Sequence, residues 1–264
     1  MGADYTTIEV ERQGSVVWVW LNRPNSRNAM NRAMIAELLD LFTRLRADGS
    51  ARVVVIGGRG PVFCAGGDLK EMRESLAESA DEQLRQVRQF DAMLLAINHA
   101  PQVVIAQIHG AVLGGGVGLI AVSDVTLAAE DAVIGWPEVA RGLAPAIISP
   151  YVTARIGLSQ ARRFMLTGAQ LTGREAAAVG LAHAAYPAEQ LPEQVRAVVN
   201  QVLQAGPAAL AACKALLFEV AEKGVTDSAE SRVHLLHQLR HSPEGQEGML
   251  AFLQKRPPYW VENI

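Results

Sequence analysis

The first half of the chain alternates between two hydrophobic rhythms. Val16 to Leu21 (VVWVWL) and Arg52 to Gly57 (RVVVIG) are short, β-branched runs bounded by turn residues, which reads as buried strand. Between them Met34, Leu38, Leu41 and Leu45 recur at helical spacing, and Asp48-Gly49 supplies the stop. A second helical stretch, 81 to 98, places Leu84, Val87, Phe90, Leu94 and Ile97 on one side. Strand-like segments return at Gln102 to Ile108, Val125 to Ala129 and Ala132 to Ile134. Strands apolar on both faces and separated by helices predict an α/β protein with a buried sheet. After Pro145 the strand signal fades, and the pattern predicts helices over 159–167, 173–179, 188–205, 207–223, 226–241 and 244–254. Pro192 and Pro207 fall near helix starts, where the missing N–H does no harm. The division expected is an α/β core over residues 1–200 and a helical C-terminal region over 201–264, without a low-complexity linker or a clean repeat.

Composition narrows the class. With 264 residues, half of them hydrophobic, a sizeable core is expected. Twenty-four basic residues against 27 acidic give a net charge of −3 with no basic block, so the electrostatic footprint of a nucleic-acid binder is missing. Two scattered cysteines, Cys64 and Cys213, suit a reducing compartment. The polar N-terminus lacks a signal-peptide pattern, so a cytoplasmic location is expected. The longest apolar region, 103 to 123, is broken by Gln107, His109 and several glycines, so no membrane span is expected.

The chemistry concentrates in two bare turns and one carboxylate. HGAVLGGGVGL (109–119) reads strand, turn, glycines, helix, an order that points helix-start N–H groups at open space. Such groups stabilise a negative oxygen, either a phosphate or an oxyanion formed during reaction. Gly116 to Ala121 matches the dinucleotide pattern G-x-G-x-x-A, with Glu138 twenty residues beyond Gly118. Five residues, HGAVL, separate the strand from the run of three glycines, however, where that fingerprint wants a tight turn. Close helix–strand packing is the plain alternative for these glycines. FCAGGDLKEM (63–72) repeats the order after the strand at 52–57. Asp68 suits a helix cap there, and Gly67 leaves a backbone N–H unshielded, as Gly115 does. Two such N–H groups converging on one carbonyl oxygen make an oxyanion hole. Glu138, in GWPE, has apolar neighbours on both sides; desolvation there would raise its pKa and suit it to acid–base work. A surface carboxylate paired with Arg141 is the other reading of that residue. Cys64 and His109 read as structural, and His234, His237 and His241 share one helical face without acidic partners for a metal.

FCAGGDLKEM, HGAVLGGGVGLIAVSD and IGWPEVARGLAP, with LNRPNSRNAM, LTGAQLTGREAAAVG and EGMLAFLQKRPPYW, resemble the enoyl-CoA hydratase/isomerase (crotonase) family over nearly the whole chain. The resemblance implies a spiral of β-β-α turns with a helical C-terminal trimerisation region, assembled as a homotrimer or a dimer of trimers. It implies an acyl-CoA thioester as substrate, with coenzyme A brought by the substrate rather than held as a cofactor, and no metal. Carried over by position, Gly67 and Gly115 form the oxyanion hole and Glu138 is the catalytic glutamate. Asn25, Ser26 and Arg27, together with Ala65, Gly66, Asp68, Leu69 and Lys70, match segments that contact coenzyme A, and Lys255 matches a lysine that reaches its phosphates. The best-known hydratases of the family carry another glutamate where this chain has Gly118. The GGxGL pattern with the retained PE and GLAPAIISPYV resembles hydratases acting on branched glutaconyl-CoA esters, of the methylglutaconyl and isohexenylglutaconyl type. Hydration across the 2,3 double bond is the activity expected. An enoyl-CoA isomerase is the alternative within the family, and a dinucleotide-dependent enzyme or a non-catalytic CoA-binding or RNA-binding relative the alternatives outside it.

Overall fold

The computed structural model describes residues 5–264. Strands β1 (Ile8–Gln13), β2 (Val16–Leu21), β3 (Val53–Gly58), β4 (Val103–Ile108), β5 (Ala111–Leu113), β6 (Val125–Ala129), β7 (Val133–Gly135), β8 (Leu171–Thr172) and β9 (Ala184–Tyr186) form two sheets. The larger runs β1-β2-β3-β4-β6-β9 and the smaller β5-β7-β8. Within the larger sheet β1 and β2 form an antiparallel pair, and every later neighbour is parallel. Parallel neighbours require a crossover between them, and the helices supply it: α1 (Arg32–Asp48), α2 (Leu69–Glu74) and α3 (Ala80–Asn98), then α4 (Gly115–Ala121) and, further on, α5 (Ser149–Thr167) and α6 (Gly173–Ala178).

The chain therefore winds as a spiral whose turns stack on one another. β2, β3, β4 and β6 occupy equivalent places in successive turns of the large sheet. Opposite them, Met30 bridges to Gly67, Cys64 bridges to Val112, and β5 pairs in parallel with β7. β3 is buried along its whole length, as the RVVVIG run implies. Val54 and Ile56 join Met34, Leu38, Leu41 and Leu45 of α1 in the main core. Val53 and Val55 face the other way, onto Leu191, Val195, Val199 and Leu203 of α7 (Leu191–Leu203). Asn31 caps α1 by accepting from the Met34 N–H at 3.0 Å, and Gly49 ends the helix at φ 63°.

The rest of the chain is helical, through α8 (Pro207–Asp227), α9 (Ala229–His241) and α10 (Pro243–Leu253). Three differences from the sequence expectation have plain causes. α5 begins at Ser149, well before residue 159, but is broken at Gly157 (φ 70°), so the periodic stretch is only its second half. β5, β8 and β9 hold three, two and three residues, too few for a period to register. The apolar side of α3 is divided: Met93, Leu94 and Ile97 are buried, while Leu84 and Val87 are half exposed. No single helix among the described residues is long and apolar enough to cross a membrane.

One buried ion pair fastens the C-terminal helices to the core. Lys214 of α8 donates to Asp124 Oδ2 at 2.6 Å and to the Gln102 carbonyl at 3.0 Å, and Asp124 also accepts from the Val104 N–H. Removing one partner of a fully buried pair costs roughly 3–5 kcal/mol. Asp124 keeps 26% side-chain exposure, so the loss expected for Lys214→Ala is about 2–3 kcal/mol, read by urea denaturation; a loss no larger than that of a surface lysine would remove this role.

Candidate active site

The stacking of turns brings residues from distant stretches into one cavity of about 490 Å³. Backbone bonds tie each turn to the next. Met30 N donates to the Gly66 carbonyl at 2.8 Å, Leu113 N to the Cys64 carbonyl at 2.9 Å, and Gly114 N to the Gly135 carbonyl at 3.0 Å. Gly67 from the second turn, Gly115 from the third and Glu138 from the fourth consequently line the same space.

Neither glycine N–H has a backbone hydrogen-bond partner among the described residues. Gly115 is the first residue of α4, so its N–H has no intrahelical carbonyl. Gly67 N makes no backbone hydrogen bond among the described residues, whereas the flanking Gly66 carbonyl and Asp68 N–H are both committed to Met30. A Cβ on Gly115 would lie 2.6 Å from Met30 Cε, and one on Gly67 3.1 Å from Met72 Sδ. Bare backbone keeps the approach open. Asp68 is spent locally: it accepts from the Lys70 and Glu71 N–H groups as the cap of α2 and from Arg23 at 3.0 Å.

Glu138 is placed by the bend after β7. Trp136 is fully buried, its ring stacked 6.0 Å from that of Phe164, and anchors the bend. Glu138 then opens a 3-10 turn, Val139–Arg141, with its carbonyl accepting from Arg141 N at 2.9 Å and Leu143 N at 3.0 Å. Its carboxylate turns back over the glycine loop, 2.8 Å from where a Cβ of Gly114 would sit. Oε2 is buried without a hydrogen-bond partner among the described residues. Burial, the largest influence, raises its pKa above the ordinary glutamate value, against a smaller opposing pull from Arg141.

The other residues singled out in the sequence separate into three groups. Ala65, Gly66 and Leu69 line the cavity with Gly67. Asn25, Ser26 and Arg27 form an exposed turn outside it, joined to its rim because the Arg27 carbonyl accepts from Ala65 N at 3.0 Å. Lys70 and Lys255 are exposed and line no part of it within this chain. Gly118 lies inside α4, and a Cβ there would come within 2.5 Å of Ile148 Cγ2. That position has no room for a carboxylate directed at the cavity. Gly116 is likewise packed against Cys64, so the G-x-G pair serves helix packing and offers no cradle for a pyrophosphate. Cys64 is fully buried, which pushes its thiol up to about 12. His109 bonds the Gly60 carbonyl at 2.9 Å, and His237 stacks on His241 on an exposed helix face. Among the described residues no group of His, Cys, Asp or Glu is arranged to hold a metal ion.

Sequence reasoning missed most of the cavity wall. Met30, Phe90 and Ile148 come from three separate stretches, and Arg32 from the start of α1. The one available signal was the apolar side of α3, whose exposed half includes Val87 and faces the cavity instead of the core.

Spiral turns close around a mainly apolar cavity lined by two backbone N–H groups without backbone partners among the described residues and by a desolvated carboxylate, a set suited to stabilising a negative oxygen and moving a proton. The chain belongs to the enoyl-CoA hydratase/isomerase family, whose sequence profile matches residues 11–263. Among solved structures, Pseudomonas aeruginosa AtuE is 42% identical with a TM-score of 0.94, covering 97% of this chain and 100% of that one. An enoyl-CoA hydratase/isomerase from Marinobacter aquaeolei is 38% identical with a TM-score of 0.93, covering 97% and 99%. The 2,3-dehydroadipyl-CoA hydratase of Escherichia coli K12 is 33% identical over 94% of this chain and 96% of its own length.

Proposed function

We propose that this chain is an enoyl-CoA hydratase that adds water across the 2,3 double bond of a branched glutaconyl-CoA thioester. The observation that carries the hydratase reading is that Glu138, with its Oε2 buried and unpartnered among the described residues, lines the same cavity as Gly67 and Gly115, whose N–H groups have no backbone partner there. The thioester oxygen accepts from those two N–H groups and gains negative charge as the α-carbon takes on enolate character. Glu138 removes a proton from water while its oxygen bonds to C3, and returns that proton to C2. With Gly118 closed off by Ile148, a single glutamate serves both proton steps.

The substrate class rests on three supports. The GGGVGL and PEVARGLAPAIISPYV stretches resemble hydratases of branched glutaconyl-CoA esters. The cavity walls are mainly apolar, with Leu69, Met72, Leu76 and Leu143 exposed along them. A relative is named for a thioester of a dicarboxylic acid, 2,3-dehydroadipyl-CoA. The coenzyme A portion runs past Ala65 toward the Asn25–Arg27 turn and Lys70. Exposed Leu217, Val233, Leu236, Phe252 and Leu253 on α8–α10 support a homotrimer closed by these helices, from which Lys255 reaches a neighbouring cavity.

The test is hydration of 3-methylglutaconyl-CoA and crotonyl-CoA, followed as loss of the conjugated thioester's ultraviolet absorbance. Turnover of the first ester in preference to the second is expected. Inertness toward both, with turnover of a 3-enoyl thioester, would replace the hydratase by an isomerase.

A further inference from the structure

Four charged residues line the cavity: Arg32, Glu71, Glu138 and Arg141. Two of them are already balanced. Arg32 pairs with Glu78 at 2.7 Å and lies 4.0 Å from Glu71, whose other oxygen accepts from the Arg32 N–H at 2.8 Å. Arg141 is different: among the described residues it has no ion pair and no side-chain hydrogen bond. It follows Glu138 by one 3-10 turn, and that turn is pinned by two bonds to the Glu138 carbonyl and one from Gly142 N to the Val139 carbonyl at 3.2 Å. The backbone of Arg141 is thereby fixed three residues from the cavity carboxylate, and its exposed, unpaired side chain lines the cavity together with Leu143, Ile147 and Ile148.

We propose that Arg141 binds a carboxylate carried on the acyl chain of the substrate, making it the residue that selects thioesters of dicarboxylic acids. The proposal rests on the hydratase reading above and assigns the group that sets its substrate class. A second carboxylate in a cavity that holds Glu138 is opposed by like charge unless a cation accompanies it. Arginine answers that need, because its planar fork presents two parallel N–H donors to a carboxylate. The neutral branch of the acyl chain then faces Leu143, Ile147 and Ile148, and the reacting carbons lie between Arg141 and the two free glycine N–H groups.

The experiment compares two esters that differ only in the carboxylate, 3-methylglutaconyl-CoA and 3-methylcrotonyl-CoA. The quantity read is the ratio of their kcat/KM values, in which any general loss caused by a substitution cancels. Wild type favours the carboxylated ester. Arg141→Gln lowers the ratio about 10–100-fold, the worth of a hydrogen bond to a charged group. The loss falls mainly on KM for the carboxylated ester, since the contact exists before and during reaction. Arg141→Lys restores part of the ratio, keeping the charge without the fork, and the wild-type preference shrinks as ionic strength rises. A ratio unchanged in Arg141→Gln, with the wild type still hydrating the carboxylated ester, overturns the role of Arg141 and leaves the hydratase reading in place. A wild type that hydrates only the neutral ester overturns the substrate class as well, and one that hydrates neither overturns the hydratase reading itself.

Discussion

Glu138→Gln abolishes hydration while the protein becomes no less stable. A positioned general acid–base contributes about 10²–10⁴-fold to rate, and among the described residues no other unpaired carboxylate lines the cavity, so the loss in kcat is expected across that range with coenzyme A binding retained. The stability effect has the opposite sign from most buried substitutions. Burial raises the carboxyl's pKa in the folded protein above its ordinary value, so the folded state holds this proton more tightly than the unfolded chain does. Stability from this group is therefore greatest at low pH and is lost as pH rises through the elevated folded pKa. Glutamine removes that cost at neutral pH. After discounting for solvent screening at this half-buried site, a gain of about 1–3 °C in thermal midpoint is expected, or roughly 0.5–1 kcal/mol for a chain of this size. The same elevation places the acid limb of the wild-type pH–rate profile above the ordinary glutamate value of 4.5, because the base must be ionised to take the proton from water. A variant with wild-type turnover would move the chemistry to another residue, and an acid limb at or below the ordinary value would contradict the desolvated setting of Glu138.

Gly114→Ala disables the same carboxylate without touching it chemically. Gly114 has φ 49° and ψ −122°, a region L-residues rarely enter, and strain there costs about 1–3 kcal/mol. Its new methyl would lie 2.8 Å from Glu138 Oε1, so the carboxylate must move. A displacement of about 1 Å at a reacting group can cost 10²-fold in rate, and a loss of that order in kcat is expected. Gly142→Ala is the control. Gly142 also has positive φ, 73°, but a Cβ there would meet nothing within 4 Å; this variant carries backbone strain and keeps most of its turnover. Equal losses in the two would reduce the effect at Gly114 to backbone strain.

The parts of the site legible in the sequence were those written as local pattern. RVVVIG followed by FCAGGD, and QVVIAQI followed by HGAVLGGG, each announce strand, bare turn and helix start within a short stretch. The apolar setting of Glu138 was likewise visible in its immediate neighbours, and burial indeed raises its pKa. What lay beyond local pattern was lost. The two- and three-residue strands β5, β8 and β9 are held by pairing with other stretches of the chain, and so leave little periodic trace. The exposed half of α3 showed the same amphipathic spacing as its buried half, since a cavity wall and a core ask for the same residues.

The sequence by itself determined the alternation of strand and helix, the two bare turns and the carboxylate that follows them in an apolar setting. These follow from short-range physics: β-branched runs, helical spacing, caps, and glycine where a side chain would block a backbone N–H. The tertiary structure alone decided that Gly67, Gly115 and Glu138 line one cavity, because that depends on parallel turns stacking in register through bonds such as Leu113 N to the Cys64 carbonyl. It alone decided that Ile148 fills the space beside Gly118, and that Arg32 is neutralised while Arg141 is left free among the described residues. Contacts between residues far apart in the chain settle which charges are paired and which face a substrate, and no local pattern encodes them.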